Sequence, residues 1–397
     1  MQDKIYLDYA ATTPCDNRVI DAMIPYFSEN FGNPNSLHLY GEKAKGGENR
    51  ARQQIANLIN ADFDEVIFTS GATESSNIAI LRAMEHIKDR FFATIKTEHK
   101  ATLTCAETLR RGGVAVKYLD INSDGLLNFE ALETLLENVG LLSICLVNNE
   151  TGALQDIKRI SEMCTKNDVL LHIDATQGFG KIPIDVKFLD IDFLSASAHK
   201  IYGPKGIGIL FCKKTKRKYI RIPNANYDVE FGIRAGTIPV PLCVGFGAAA
   251  NIAQESMESN YNRIKNLRMY LIDSIKAQLE EIYINGSGSS NYPGIINLSF
   301  RGCEGEALMM EANRIAISSG SACTSNKLSI SHVLAAMNIR PDIAQSSLRI
   351  SIGRMTTKDD IDVAIEALIN ATNKLRKMSP IWDMIKSGID IDSVFKR

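Results

Sequence analysis

A chain of 397 residues, 45% hydrophobic and 23% charged, is long enough for two or three domains with large cores. Lys and Arg number 45 against 46 Asp and Glu, a formal charge of -1, so no global field draws the chain to nucleic acid or to an anionic membrane. The eight cysteines show no CxxC or metal-like spacing, which sets aside a zinc site and a disulfide framework. The start, MQDKIYLDYAATTP, has neither a signal-peptide nor a presequence pattern, and no apolar run reaches spanning length. A reducing cytoplasm is the expected compartment.

From about residue 42 the pattern alternates helix and strand. A charged amphipathic helix through Leu58 leads to a strand over 65–69, and Ser70-Gly71-Ala72-Thr73 then introduces a helix over 74–87. Strands follow near 91–97, 114–120, 141–148, 169–174, 193–196 and 207–211, with helices over 99–111, 129–138 and 157–167 between them. Regular βα alternation predicts an α/β fold with a mostly parallel sheet of seven strands, covered by helices on both faces. After residues 239–247 a long helix from Ala248 to about Glu281 opens a different texture, with short strands near 295–300, 316–318 and 348–352 and a helix over 358–377. This reads as a smaller α+β domain. The division expected is 16–256 for the large domain, and 1–15 with 257–397 for the small one. The basic run from Lys213 to Lys218, with Arg221, is either a docking loop for an acidic partner or a solvated loop.

Ligands in such sheets lie beyond the C-terminal strand ends, and polar residues collect there. Lys200 follows an apolar run and four small residues and precedes the turn Tyr202-Gly203-Pro204, so a partly desolvated amine beside His199 is expected. Ala72 and Thr73 open a helix whose free N–H groups suit a phosphate. His99, Asn149, Asp174 with Gln177, and Ser197 stand at other strand ends. These types meet the needs of pyridoxal 5′-phosphate: a lysine to attach it, an aspartate for the pyridine nitrogen, a ring to stack, and hydroxyls for the phosphate. A second cluster, residues 318–325, sets Cys323 among small and hydroxylic residues, where a thiol of lowered pKa becomes a nucleophile.

With these residues in view, the chain resembles the cysteine desulfurases of the housekeeping type that supplies sulfur for iron-sulfur cluster assembly, a group within the class V aminotransferases. The matching stretches are YLDYAATTP (6–14), FGNPNSLH (31–38), TSGATESSN (69–77), TEHKA (97–101), VNNETG (147–152), HIDATQ (172–177), SAHKIYGPKGIG (197–208), RAGTIPV (234–240), SSGSACTS (318–325) and SLRISIGR (347–354). The resemblance implies a fold-type I homodimer with pyridoxal 5′-phosphate at the subunit interface. By it Lys200 is the Schiff-base lysine, His99 stacks on the ring, Asp174 pairs with the ring nitrogen, and Asn149 and Gln177 contact the ring. Ala72, Thr73, Ser197 and His199 match the phosphate site, to which Thr237 is lent by the other subunit. Asn33 and Arg349 match the residues that hold the carboxylate of L-cysteine, and Cys323 the nucleophile that takes the sulfur as a persulfide. Partners implied are an iron-sulfur scaffold protein, docking on the tail 379–397, and other sulfur acceptors. No resident metal is implied, although Cys323 could transiently ligate a cluster on the scaffold.

One segment departs from the pattern. Where the family has a glycine-rich stretch with His-Glu-Arg, this chain has Asn226-Tyr227-Asp228-Val229-Glu230-Phe231, and Ala198 replaces a glycine beside Lys200. An aminotransferase or selenocysteine lyase of the same fold, or a sulfur-delivery platform with weakened catalysis, are the rival readings at this point.

Overall fold

The computed structural model describes residues 4–222, 229–286, 288, 290–319 and 330–389. Cys323, Asn226 to Asp228 and the end of the tail therefore lie outside the described residues. In chain order the strands are β1 (Ile5–Tyr6), β2 (Val66–Thr69), β3 (Phe91–Ile95), β4 (Val116–Leu119), β5 (Val139–Cys145), β6 (Leu170–Asp174), β7 (Phe193–Ser197), β8 (Gly208–Cys212), β9 (Ile282–Asn285), β10 (Ile295–Phe300), β11 (Ile315–Ala316), β12 (Ser318–Ser319) and β13 (Ser347–Ser351). Seven form the main sheet in the order β2-β8-β7-β6-β5-β3-β4. Its β3, β4, β5, β6 and β7 are mutually parallel, and β8 runs antiparallel to β7 and to β2.

The residues of β5 to β8 are buried throughout because helices cover both faces, so these strands read as apolar runs without alternation. The pleat still sorts them. Phe68, Leu142, Ile144 and Ile173 pack in one core, whereas Ile67, Leu141, Phe193 and Leu210 pack in another on the opposite face. A four-stranded antiparallel sheet, β12-β13-β10-β9, and the β1-β11 pair make a second lobe around Leu7, Leu271, Leu298, Ile350 and Leu368. Among the described residues no helix is long and apolar enough to cross a membrane.

The helix Val240–Lys276 joins the lobes: its first half packs in the main core and its second half in the other. It begins eight residues before the expected Ala248. Pro241 in the first turn forfeits no intrahelical bond, and the glycines that look like breakers are contact points. A Cβ on Gly247 would lie 2.5 Å from Cα of Ala51, so the helix Leu39–Ile59 is packed nearly backbone to backbone against it. The expected basic docking loop is also neutralised locally. Lys213 pairs with Asp190, Lys214 and Arg217 with Asp64, and Lys216 with Asp192, which favours the solvated reading.

The departing segment has a structural anchor. Glu230 and Phe231 both take left-handed φ values of 45° and 56°, and Gly232 follows at 74°. Such a run in bulky residues persists only where the surroundings over-determine it. Glu230 is buried and its carboxylate meets Arg52 at 2.6 Å, while Arg52 also meets Glu48 at 2.7 Å. The same two residues satisfy the free edge of β2: Arg52 donates to O of Val66, and Glu230 accepts from N–H of Phe68. Guanidinium groups of Arg52 and Arg217 cover the Phe231 ring at 5.3 and 4.8 Å. Removing Glu230 leaves Arg52 with Glu48 alone and strips the buried N–H of Phe68 of its acceptor, so Glu230→Ala is expected to lower stability by about 3 kcal/mol, read by chemical denaturation at fixed protein concentration. A loss under about 1 kcal/mol would show that the pair is solvated.

Candidate active site

The C-terminal ends of the parallel strands open onto a cavity of about 660 Å³. Ala72, Thr73, His99, Asn149, Asp174, Gln177, Ser197, His199, Lys200 and Arg349 all line it. Two expected residues do not. Thr237 is exposed and Asn33 is exposed with its side chain turned to N–H of Asn35, so neither lines the cavity of its own chain. Cys323 falls outside the described residues.

At one end of the cavity the helix Ala72–His86 starts without a side-chain cap, so its first N–H groups point at the cavity as an anion site. The loop before it must pass close to β8: a Cβ on Gly208 would come within 2.5 Å of Cα of Gly71. Glu74, the one acid of that first turn, would repel an anion. Burial opposes its ionisation, but N–H of Ser70 and the guanidinium of Arg234 outweigh this and hold its carboxyl low, and the ion pair with Arg234 at 3.0 Å neutralises it. Ser197 is buried at the end of β7, and His199 accepts or donates to Thr12 Oγ1 at 3.0 Å. Burial, with the charge of Lys200 adding to it, pushes His199 down to about 4, so it is neutral at pH 7.

Asp174 ends β6 and turns one carboxylate oxygen to N–H of Thr176 at 3.0 Å. The Thr176 hydroxyl beside it is buried without a hydrogen-bond partner and borders the cavity. His99 caps the helix Lys100–Arg111, its Nδ1 accepting from N–H of Ala101 at 3.2 Å. The ring proton therefore belongs on Nε2. The residue is exposed on the cavity side; desolvation by the surrounding protein pulls its pKa down, partly offset by Asp174. Asn148 pins the turn after β5 by accepting from N–H of Glu150 and Thr151, which presents Asn149 to the cavity.

Lys200 donates to the carbonyls of Ala10 and Ala11, each at 2.7 Å. Gln177 donates to the same Ala10 oxygen at 2.8 Å. Arg349, on β13 in the second lobe, donates to O of Asn149 at 3.1 Å and pairs with Asp8 at 2.8 Å, while its Nε is buried without a partner. Sequence reasoning passed over Asp8, the wall from Ala10 to Thr12, and Thr176. The stretch YLDYAATTP was noticed, but small residues acting through their carbonyls carry no side-chain signal.

Beneath the cavity Glu98 is fully buried, with Oε1 accepting from N–H of Cys145 at 2.6 Å and Oε2 unpartnered. Burial raises its pKa from 4.5 to about 8, with Asp174 adding to the effect. Between these values the unfolded chain is ionised while the folded one keeps its proton. The stability this group contributes is full below about 4.5, declines as pH rises and is lost past about 8. Glu98→Gln, which cannot ionise, should flatten that decline. The gap between variant and wild-type unfolding free energies should grow by at least about 1 kcal/mol from pH 5 to 8.5. A constant gap would mean that Glu98 is ionised in the folded state.

Comparison with known proteins places this arrangement. The class-V aminotransferase family model matches residues 5–363. The chain is 45% identical over 400 residues to cysteine desulfurase IscS of Pseudoalteromonas translucida (strain TAC 125), covering 99% of each chain. It is 44% identical over 394 residues to a cysteine desulfurase of Homo sapiens, covering 98% of this chain and 86% of the human one. Among solved structures, a NifS-like protein superposes with a TM-score of 0.87 at 32% identity, covering 94% of this chain and 100% of that one.

Proposed function

From the premise that this chain belongs to the class-V aminotransferases, and among them to the cysteine desulfurases, we propose that it converts L-cysteine to L-alanine, leaving a persulfide on Cys323 for acceptor thiols of iron-sulfur cluster assembly. The observation that carries the reading is one cavity in which Lys200, Asp174, His99 and an uncapped helix start converge.

The residues present fit pyridoxal 5′-phosphate. The uncapped N–H groups near Ala72 and Thr73, with Ser197 and neutral His199, would hold its phosphate, and Asp174 its ring nitrogen. The unpartnered Thr176 hydroxyl and the Gln177 amide leave polar groups for a ligand at the same end. When bound, that cofactor supplies a cationic ring able to accept the electron pair of a breaking Cα–H bond.

Lys200 would attach the group, then take the Cα proton of L-cysteine and return it. His99, with its proton on Nε2, offers a donor over the site while its ring stacks. Arg349 would hold the substrate carboxylate, for which its unpartnered Nε is a ready donor. Cys323 attacks the substrate sulfur: an S–S bond forms, the Cβ–S bond breaks, and the released carbon is protonated to alanine. Cys323 stands four positions beyond Ser319 in the sequence. Five of the seven described cysteines are poor rivals, since burial pushes the thiols of Cys105 and Cys164 up to about 12 and raises those of Cys145, Cys212 and Cys243 as well.

The reading includes a homodimer. Asn33 and Thr237, outside their own cavity, are assigned to a cavity completed by a second copy. Exposed Ile20, Ile24, Phe27, Phe31, Leu37 and Leu39 offer the apolar face such an interface needs. The domain division at about 16 and 256 is supported by the two cores meeting along the helix Val240–Lys276. Exposed Met378, Ile381 and Ile389 support scaffold docking at the C-terminal segment.

Purified protein loaded with the cofactor should release alanine and, with dithiothreitol, sulfide in equal amounts from L-cysteine. Cys323→Ser should keep cofactor binding and lose at least about 100-fold in sulfide release. Undiminished sulfide removes Cys323 from the reaction, and keto-acid-dependent amino transfer instead of sulfide would make the protein an aminotransferase. Arg349→Ala should raise KM for L-cysteine roughly 10- to 100-fold with a smaller change in kcat, since it removes a charge-assisted contact.

A further inference from the structure

Behind Lys200 lies a second lysine that the reaction just described does not use. Lys181 follows β6 at the junction of the two lobes, where its ammonium stands 5.7 Å from the ring centroid of Tyr292. Its Nζ donates to Oε1 of Gln177 at 3.1 Å. The Gln177 Nε2 in turn donates to O of Ala10, the oxygen that also receives Lys200. Lys181 and Lys200 both border a small, partly open space of about 50 Å³ between the lobes.

A glutamine amide can be turned either way, and its two ends do opposite things: the oxygen accepts and the nitrogen donates. Here both neighbours force one choice. A lysine offers only donors and a backbone carbonyl only an acceptor, so the reversed amide would set nitrogen against nitrogen and oxygen against oxygen. With Oε1 committed to Lys181 and one Nε2 proton to Ala10, the second Nε2 proton is the group left to face the cavity that Gln177 lines.

We propose that Lys181 is a positioning residue for the cofactor site, locking the Gln177 amide so that an N–H rather than the carbonyl oxygen meets an acceptor oxygen of the bound cofactor. The inference rests on the reading that the cavity holds pyridoxal 5′-phosphate. Burial, and after it the charge of Lys200, bring the Lys181 amine down to about 7. The ammonium can only donate; the neutral amine still donates to Oε1 but could also accept, and the carbonyl of Ala10, an acceptor only, then keeps the amide from reversing. Without Lys181 the amide is held by Ala10 alone, and its oxygen is free to be solvated from the space between the lobes.

The test is reconstitution of apoprotein with pyridoxal 5′-phosphate, following the absorbance of the bound chromophore and its dissociation constant. Losing one oriented hydrogen bond should weaken binding about tenfold in Lys181→Met and move the absorbance band. Lys181→Arg and Lys181→Gln each keep a donor and should bind within about threefold of wild type. Gln177→Ala should weaken binding by a similar factor, and Lys181→Met should add nothing to it, because the lysine acts through the amide. Additive losses in the double variant, an unchanged constant in Lys181→Met, or no rescue by Lys181→Arg and Lys181→Gln would each overturn the proposal while leaving the cofactor reading intact. Unfolded Lys181→Met protein beside Lys181→Arg and Lys181→Gln proteins that fold and bind as wild type would overturn it too, showing that the lysine serves the lobe junction. Wild-type protein that takes up no cofactor overturns both.

Discussion

A strap of backbone, residues 8 to 16, crosses the open end of the main sheet, and the side chains of the cavity are bonded to it. Lys200 is held between the carbonyls of Ala10 and Ala11, and Gln177 shares the first of them. Thr13 bonds to O of His199 and to N–H of Tyr202, and Asp16 takes N–H to O of Tyr202. Each bond answers a need on both sides. Past the bridge of Asp8 to Ser351 the strap joins no ladder among the described residues, so its carbonyls require donors, and the lysine requires acceptors, which these carbonyls supply. When the lysine nitrogen is committed to a ligand, Ala10 keeps the Gln177 N–H. The strap can therefore release Lys200 without losing all its support.

That arrangement works in a quiet electrical background. Glu98 and His199 lie close by but are neutral at pH 7, the first because burial keeps its proton on and the second because burial keeps it off. His172, one position down the same face of β6 from Asp174, is clamped between Ser143 and Ser195 at 2.8 Å each, and burial lowers it to about 4. The formal charges left around the cavity are few: Asp174, Lys200, Lys205, and the pairs Arg349 with Asp8 and Glu74 with Arg234. In a partly desolvated site each unpaired charge then acts on its neighbour with little dilution. Three uncharged but titratable groups are thus part of how Asp174 can hold a protonated ring nitrogen.

What could be read from the chain follows from strand polarity. Once the βα alternation is recognised, the residues after each parallel strand must share one edge, which brings Thr73, His99, Asn149, Asp174 and Lys200 together without any coordinates. Features that depend on distant pairing stayed hidden. Arg349 and Asp8 are 341 positions apart, and Arg52 and Glu230 are 178. Neither sequence neighbourhood marks its residue as paired. The start of the helix at Val240 was masked by Pro241 and Gly247, whose tolerance depends on helix position and on Ala51. The basic run looked like a docking site because the aspartates that neutralise it come from two other segments, the approaches to β2 and to β7. Lys181 and Gln177 are an i, i+4 pair in plain view, yet in a turn rather than a helix that spacing predicts nothing.

The two lobes divide the work along a physical line. Groups suited to hold a cofactor belong to the main sheet and its strap, whereas Arg349 stands on β13, paired in register with Ser318 of β12. The segment that carries Cys323 begins directly after β12. Arg349 is also tied to the main lobe, through O of Asn149, and to the strap, through Asp8. On the proposed reading, a substrate held by Arg349 would be located against both lobes at once, with its carboxylate at β13 and its α-carbon towards Lys200. The resting guanidinium is matched by Asp8, so an incoming carboxylate meets an arginine already oriented and nearly neutral as a pair, with Nε still unspent. Such a site gains affinity from direction more than from net charge, which suits a zwitterionic amino acid whose ammonium must approach Lys200 and would be repelled by a stronger positive field.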